Sequence, residues 1–352
     1  MKVLIIVPSH PVYSGVDFHR LVVPHNVMGV LYPECEISMI NEIDSATEEF
    51  LKCFDLVIAN RFISKVGDYI ELIQKLKRVN VPYVIDLDDD YKLNDTHILQ
   101  GVSKGDGHAA KIIYGINHAI GVTTTHTYLG RTLQNETLVK KIRIVENGIL
   151  PVGQFETKDK KLDVPTFGWS GSITHFEDVM ELFDSLLSMY KDNSLKFKVV
   201  YGGFSPDDDM ARAIAGVLSC KGVAPADKFA TFPSTTVDKY ANFYDHIDIS
   251  LIPLRDNRFN NMKSNLKLIE AGFKKKAVIC SNVYPYSPML KHGINCLVVN
   301  SRHDWYRNMV KLIKNPNMIK DLAEQLYIDV QCQHMNVVAE ARYNAYKSFL
   351  NI

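Results

Sequence analysis

The sequence is short of the features that would assign it to a specialised class. Its six cysteines, Cys35, Cys53, Cys220, Cys280, Cys296 and Cys332, are scattered and form no C-x-x-C pair. Free thiols, buried or semi-buried, in a reducing compartment are the expectation. No stretch approaches the ~20 apolar residues needed to cross a bilayer. The opening MKVLIIVPSHP holds one lysine and a five-residue apolar run, too short for the core of a secretory signal. Together these absences predict a cytoplasmic protein. Net charge is missing too. Lys plus Arg and Asp plus Glu are 40 each, so no global field draws the chain toward nucleic acid or an anionic surface. A local basic groove stays compatible with that balance. The chain lacks G-x-G-x-x-G, which sets a dehydrogenase aside. It also lacks heptads, short repeats and low-complexity tracts.

What the chain does have is length and alternation. Its 352 residues exceed one ordinary core and suit two α/β domains of ~150 residues each. Short apolar runs alternate with longer amphipathic segments, the pattern of parallel sheets covered by helices. The first half predicts strands at Val3 to Val7, Asp55 to Ala59, Tyr83 to Leu87, Ala119 to Thr124 and Ile142 to Val145. It predicts a helix from Val16 that Pro24 should end or kink, and another over Val66 to Arg78. Pro151 to Asp163 is polar, charged and aperiodic, and reads as an interdomain linker. The second half predicts strands at Thr166 to Trp169, Phe197 to Tyr201, Asp248 to Leu254, Ala277 to Cys280 and Cys296 to Val299. Its helices are expected at Phe176 to Tyr190, Asp208 to Leu218, Val237 to His246, Ser264 to Phe273 and Asp304 to Lys314, with two more from Met318 on. The domains are accordingly expected at 1–155 and 164–330. Residues 331–352, including Tyr343 to Leu350, would form a helix returning to the N-terminal domain. The space between the domains is the default ligand site.

Four segments could carry chemistry. Ser9 to Asp17 follows the first strand and opens a helix, so Ser14 and Gly15 sit where backbone N–H groups can meet a phosphate. An ordinary strand-to-helix turn explains the segment equally well. Asp86-Leu87-Asp88-Asp89-Asp90 puts four carboxylates in five residues, which need a cation, Arg or Lys, or hydroxyl donors nearby. A D-x-D metal site, a solvated strand end and a lining for sugar hydroxyls all remain open. Gly168-Trp169-Ser170-Gly171-Ser172 runs from strand to Gly/Ser loop and suits a phosphate or a sugar. A helix then starts near Thr174, with Glu177 completing a capping box. His175 is a candidate acid/base or a local hydrogen-bonder.

The fourth segment joins a strand ending at Leu254, a polar loop containing Arg258 and Asn260, and a helix from Lys263 and Ser264. Orphan N–H groups and partial positive charge at that helix start favour an anion. Lys267, one turn on, would share a face with Lys263 and meet a diphosphate with it. Glu270 could accept bonds from ribose hydroxyls. A basic solvated face is the bland alternative, but Leu266, Ile269 and Ala271 speak for burial against a sheet.

In this order the segments GWSGSITHFEDV, DISLIPL, FNNMKSNLKLIEAG, AVICSNVYPYSPML and GINCLVV resemble the GT-B glycosyltransferases of family 4 (group 1 glycosyltransferases). SGVDFHR, VPYVIDLDDD, TTTHTYLG and IVENGI carry a looser likeness in the first half. The resemblance implies an α/β, GT-B fold: two Rossmann-like, doubly wound parallel-sheet domains facing a central cleft. It implies a nucleoside-diphosphate sugar, UDP-linked first, as substrate, and no tightly bound cofactor or metal. Glu270 matches the second Glu of E-x7-E, which holds the ribose. Lys263 and Ser264 would contact the diphosphate, with Ser14 and Gly15 approaching it from the other domain. Such enzymes are usually retaining and stabilise the leaving diphosphate with Lys, Arg and helix dipoles. Three positions depart from the pattern. Met262 stands at the first Glu of E-x7-E. Ser170-Gly171-Ser172 replaces a common Arg. Asp88 and Asp89 stand where many relatives have a His, and they become the candidate catalytic pair with Lys263 and His175.

The expected reaction is glycosyl transfer to a polysaccharide or other glycoconjugate. Transfer to modified bases of phage DNA is the alternative, disfavoured by zero net charge. An inactive nucleotide-sugar-binding module and an epimerase on the same fold are the readings from other classes. Peripheral contact with a membrane through a local basic patch stays open.

Overall fold

The computed structural model describes residues 1–9, 13–41, 46–61, 69–93, 95, 100–105, 107–158 and 162–352, with backbone only at 69 and 102. Outside it lie His10, Pro11 and Val12 of the first candidate loop, Val66 to Asp68 of a predicted helix, and Asp159 to Lys161 of the predicted linker. The chain forms two compact units. Residues 1–150, 262–264 and 333–352 make the first, and residues 151–261 and 265–332 the second.

The first unit is built on β1 (Lys2–Ile6), β2 (Glu36–Ile40), β3 (Leu56–Asn60), β4 (Tyr83–Leu87), β5 (Gly121–Thr124) and β6 (Ile142–Ile144). All pairings are parallel, in the order β2-β1-β3-β4-β5-β6. The inner strands read as unbroken apolar runs because both faces are covered. Leu4, Val57, Ile85 and Val122 pack with Leu72, Leu76, Ile112 and Ile116 on one side. Val3, Ile5, Ile58 and Val84 pack with Met28, Met335, Val338, Tyr346 and Phe349 on the other. Gly121 is explained by close approach: a Cβ there would stand 2.3 Å from the Phe349 ring. Pro24 does not end the first helix. A π-helical stretch, Asp17–Val22, leads into the α-helix Val23–Leu31 with Pro24 in its first turn. Pro24 thus falls where π-helical spacing gives way to α-helical spacing and the regular i→i−4 ladder is already interrupted.

A buried ionic network ties this unit's first and last helices to β4. Arg20 donates from Nε to Asp86 Oδ2 at 2.8 Å and from Nη2 to Oδ1 at 2.7 Å. Its Nη1 donates to the carbonyls of Val145 and Glu146 and to Asn147 Oδ1. Arg342, from the helix Met335–Leu350, donates to Asp86 Oδ1 at 3.2 Å, and Thr123 donates to the same oxygen at 2.5 Å. Burial opposes ionisation of Asp86, but the two guanidiniums outweigh it and hold its pKa well below the usual carboxylate range. The same helix stacks Tyr343 on Tyr32 at 3.9 Å, and His25 Nε2 lies 2.8 Å from the Tyr346 hydroxyl.

The second unit repeats the plan with β7 (Thr166–Ser170), β8 (Lys198–Phe204), β9 (Phe229–Pro233), β10 (Ile249–Ile252), β11 (Ala277–Ser281) and β12 (Leu297–Val299). Its order is β12-β11-β10-β7-β8-β9, again parallel. Phe167, Trp169, Tyr201, Leu251 and Ile279 form its core with Leu186, Trp305 and Met309. Two strands absent from the sequence-based expectation, β2 and β9, each form one half-exposed edge of their sheet. Neither EISMI nor FATFP presents an unbroken apolar run. The stretch expected as an α-helix at Val237 to His246 is a 3₁₀ helix, Tyr240–His246.

The described part of the predicted linker is fastened down. Gln154 donates to the Val237 carbonyl and accepts from the Ala241 N–H. The buried Lys274 donates to the carbonyls of Gln154 and Glu156 and pairs with Asp245 at 2.6 Å. Among the described residues no helix is long and apolar enough to cross a membrane.

Asp86→Asn should cost about 3–5 kcal/mol in urea unfolding, because two buried guanidiniums lose their counter-charge. The folded pKa of Asp86 is depressed. Its contribution is therefore full above the unfolded carboxylate value near ~4 and is lost as pH falls through the folded value. The variant should flatten the acid limb of Tm against pH. Stability equal to the native protein at pH 7 would contradict this account of the network.

Candidate functional site

Open parallel sheets bind ligands outside the carboxyl ends of their strands, where the strand order reverses. In the first unit the reversal lies between β1 and β3, and in the second between β7 and β10. Polar residues gather at both places.

After β1, Ser9 bonds the Asp17 carboxylate through its hydroxyl and also through its N–H at 3.2 Å. Ser14 donates its N–H to Ser9 Oγ at 2.9 Å and accepts the Asp17 N–H on its own hydroxyl at 3.1 Å. Ser14 therefore ties the loop after β1 to the start of the first helix. A Cβ on Gly15 would meet nothing among the described residues within 4 Å, so packing does not require glycine there.

Arg61, directly after β3, escaped the sequence reading. Its Nη2 lies 3.9 Å from Asp88 Oδ1 and 3.6 Å from Asp89 Oδ2. Burial is the main force lifting the Asp88 pKa to about 6; Arg61 pulls it down and Asp89 pushes it further up. Asp88 Oδ1 is buried and has no hydrogen-bond donor among the described residues. Asp86, the first carboxylate of the D-x-D reading, is committed to Arg20, Arg342 and Thr123, and does not pair with Asp88 as a metal ligand. Among the described residues no His, Cys, Asp and Glu group is placed to hold a metal ion.

Lys263 and Ser264 also belong to the first unit, where the Lys263 carbonyl lies 3.0 Å from His126 Nε2. They do not open the helix as predicted. That helix runs from Leu266 to Phe273, with Asn265 before it. Met262 explains the late start: it is buried in the first unit's apolar core, which fixes the chain immediately upstream. Lys263 and Lys267 therefore do not share a helical face.

In the second unit the loop after β7 and the loop after β10 are joined by one carboxylate. Asp178 Oδ2 lies 2.8 Å from His175 Nδ1. Asp178 Oδ1 accepts the Arg255 N–H and the Asn260 Nδ2–H, each at 2.9 Å. Asn260 also donates to the Arg255 carbonyl at 2.9 Å. The predicted capping box does not form. Thr174 Oγ1 lies 2.6 Å from Ser172 Oγ, Glu177 pairs with Arg255, and the first turn is 3₁₀. Lys267 Nζ donates to the Ser170 carbonyl at 2.5 Å. Gly171 makes room for that amine, since a Cβ would stand 2.9 Å from Lys267 Nζ and 2.8 Å from the Trp169 ring.

The remaining candidates are spread more widely. Arg258 is exposed at the start of the short helix Arg258–Asn261. Gly168 lies inside β7, where its missing side chain admits Ile247 and Phe243. Glu270 is 4% exposed and accepts hydrogen bonds from the Tyr240 hydroxyl and, at 2.9 Å, from the Tyr244 hydroxyl. Burial raises its pKa against the pull of those two bonds.

No protein-family model and no curated protein matches the chain. Solved structures do. Sucrose-phosphate synthase from Thermosynechococcus elongatus matches with a TM-score of 0.72 at 12% identity, covering 99% of both chains. HepE of Anabaena in complex with UDP-glucose matches with a TM-score of 0.70 at 10% identity, over 99% of this chain and 100% of that one. A glycosyltransferase from Rickettsia africae ESF-5 matches with a TM-score of 0.68 at 14% identity, over 99% and 98%. At such identities the likeness is one of fold. The protein has the GT-B fold expected from its sequence.

Because the folded state favours neutral Asp88, ionising it as pH rises from ~4 through about 6 costs stability. A carbon-13 titration should show one aspartate near 6 that vanishes in Asp88→Asn, and that variant should lose less Tm than the native protein over this interval. An ordinary titration near ~4 would refute the assigned environment.

Proposed function

We propose that the protein transfers a sugar from a nucleoside diphosphate, UDP first, to a hydroxyl of a glycan or glycoconjugate, with retention and without a metal. The observation carrying this reading is the β7/β10 reversal point. There a Gly/Ser loop, the Lys267 amine and the Asp178-bound pair His175 and Asn260 meet. That HepE, of the same fold, was solved with UDP-glucose supports the choice of donor.

The diphosphate leaves with growing negative charge. Loop N–H groups of Gly171 and Ser172 and the Lys267 amine are suited to stabilise it, and preorganised donors matter most in a water-poor site. Lys263, Ser264, Arg258, Ser14 and Gly15 remain proposed donor contacts. Glu270 would hold the ribose by exchanging its tyrosine hydroxyls for ribose hydroxyls. The sugar carbon passes through an oxocarbenium-like state, so groups aligning its hydroxyls count. Asp88, half protonated at about pH 6 and with a buried carboxylate oxygen that no donor of the described residues reaches, fits that role beside Asp89.

Thermal unfolding with UDP, GDP, dTDP and CMP added separately is the test. The correct nucleotide at ~100 times its Kd should stabilise the fold by roughly 2.7 kcal/mol. UDP is expected to act, with UDP-sugar turnover unaffected by EDTA, and Lys267→Ala should weaken UDP binding by ~1–3 kcal/mol. No shift with any nucleotide, or turnover abolished by EDTA, would contradict the proposal.

A further inference from the structure

We infer that Asp178 is a positioning residue: it holds His175 with its proton on Nδ1 and its ring lone pair on Nε2, so that Nε2 accepts a hydrogen bond from a hydroxyl of the transferred sugar. This deepens the reading above and rests on it for the identity of the ligand, though not for the tautomer.

The geometry of the carboxylate carries the inference. Asp178 is 5% exposed, and at least three nitrogens converge on it. Two of them, the Arg255 backbone N–H and the Asn260 side-chain amide, donate to Oδ1. The third, His175 Nδ1, faces Oδ2 at 2.8 Å. A carboxylate surrounded in this way acts as acceptor, so the hydrogen of the His175 contact sits on Nδ1. The ring is packed but not sealed, with 12% of its side chain exposed. It stands at the end of the loop whose Ser170 carbonyl takes the Lys267 amine. Asp178 thus does two things with one group. It sets the state of a histidine after β7, and it ties that loop to the one after β10 across the point where the strand order reverses. A carboxylate behind a histidine orients the ring and selects its tautomer in metal and hydrolase sites by the same physics.

Asp178→Asn is the decisive variant because it keeps the shape and reverses one contact. The Arg255 N–H and Asn260 amide are both donors, so the new amide must turn its oxygen toward them. Its NH₂ then faces His175 Nδ1, which can only accept, and the ring proton moves to Nε2. Nitrogen-15 spectra of the His175 ring should show Nδ1–H in the native protein and Nε2–H in the variant. UDP lacks the sugar, so UDP affinity should fall by a smaller factor than turnover does. UDP-sugar turnover should fall about ten- to hundred-fold, the loss expected when a hydrogen bond made in the transition state is replaced by a mismatched donor. Asp178→Glu, which restores an acceptor, should recover the native tautomer and part of the turnover.

An unchanged His175 tautomer in Asp178→Asn would overturn the inference. So would a changed tautomer with native turnover, since His175 would then not touch the sugar. If the native protein turned over no UDP-sugar at all, the proposed function would fail. The ring spectra would still decide whether Asp178 sets the tautomer.

Discussion

Arg20 and Arg342 reach the buried Asp86 carboxylate from the two ends of the chain, and the first unit is organised around that contact. One guanidinium comes from the helix after β1 and the other from the last helix, while Asp86 itself lies in β4. Neither charge is tolerable alone in such a place, because desolvation of an unpaired ion costs several kcal/mol. Each element therefore needs the others in register. The C-terminal helix is held on its unit by the network and by the stacking of Tyr343 on Tyr32, and not by apolar area alone. Two residues beyond Asp86, Asp88 inherits its position from the same anchor.

Much of this architecture could be read from residue patterns. Strands buried on both faces announce themselves as apolar runs, which is why VLII, LVIA, YVIDL and AVIC were legible. Two of the four edge strands, β2 and β9, were not, since a half-exposed strand need not be apolar throughout. The same limit applied to the start of the helix at Leu266. From sequence, KSNLKLIEAG continues one helical period back to Lys263. Burial of Met262 in the core of the first unit, to which it belongs, overrides that pattern. The segment 151–158 read as a linker by composition. Its attachment depends on Lys274 and Gln154, residues whose partners are remote in the chain.

The candidate site shows the same division. Loops at the carboxyl ends of strands were identifiable because Gly, Ser and Asp clusters follow apolar runs. Asp178 was passed over although H-F-E-D sets it three residues after His175. The capping interpretation drew attention to Glu177, whose carboxylate instead pairs with Arg255. Arg61 had no sequence signal beyond its place directly after a strand. Tyr240 and Tyr244 become visible as partners of Glu270 only once the 3₁₀ helix puts them beside it. Partners distant in sequence were the consistent blind spot. Residue types at strand ends were the consistent success.

A GT-B fold places two reversal points within one chain, and here the second one has the denser chemistry. Its loops are coupled through Asp178, and its lysine rests on the carbonyl of Ser170, beside a glycine that leaves room for it. The most direct measurement is a crystal structure of the protein grown with UDP. The account predicts the diphosphate against the Ser170 to Ser172 loop, within hydrogen-bonding reach of Lys267, and the ribose near Glu270. A nucleotide bound away from that loop, in a protein otherwise unchanged, would contradict it.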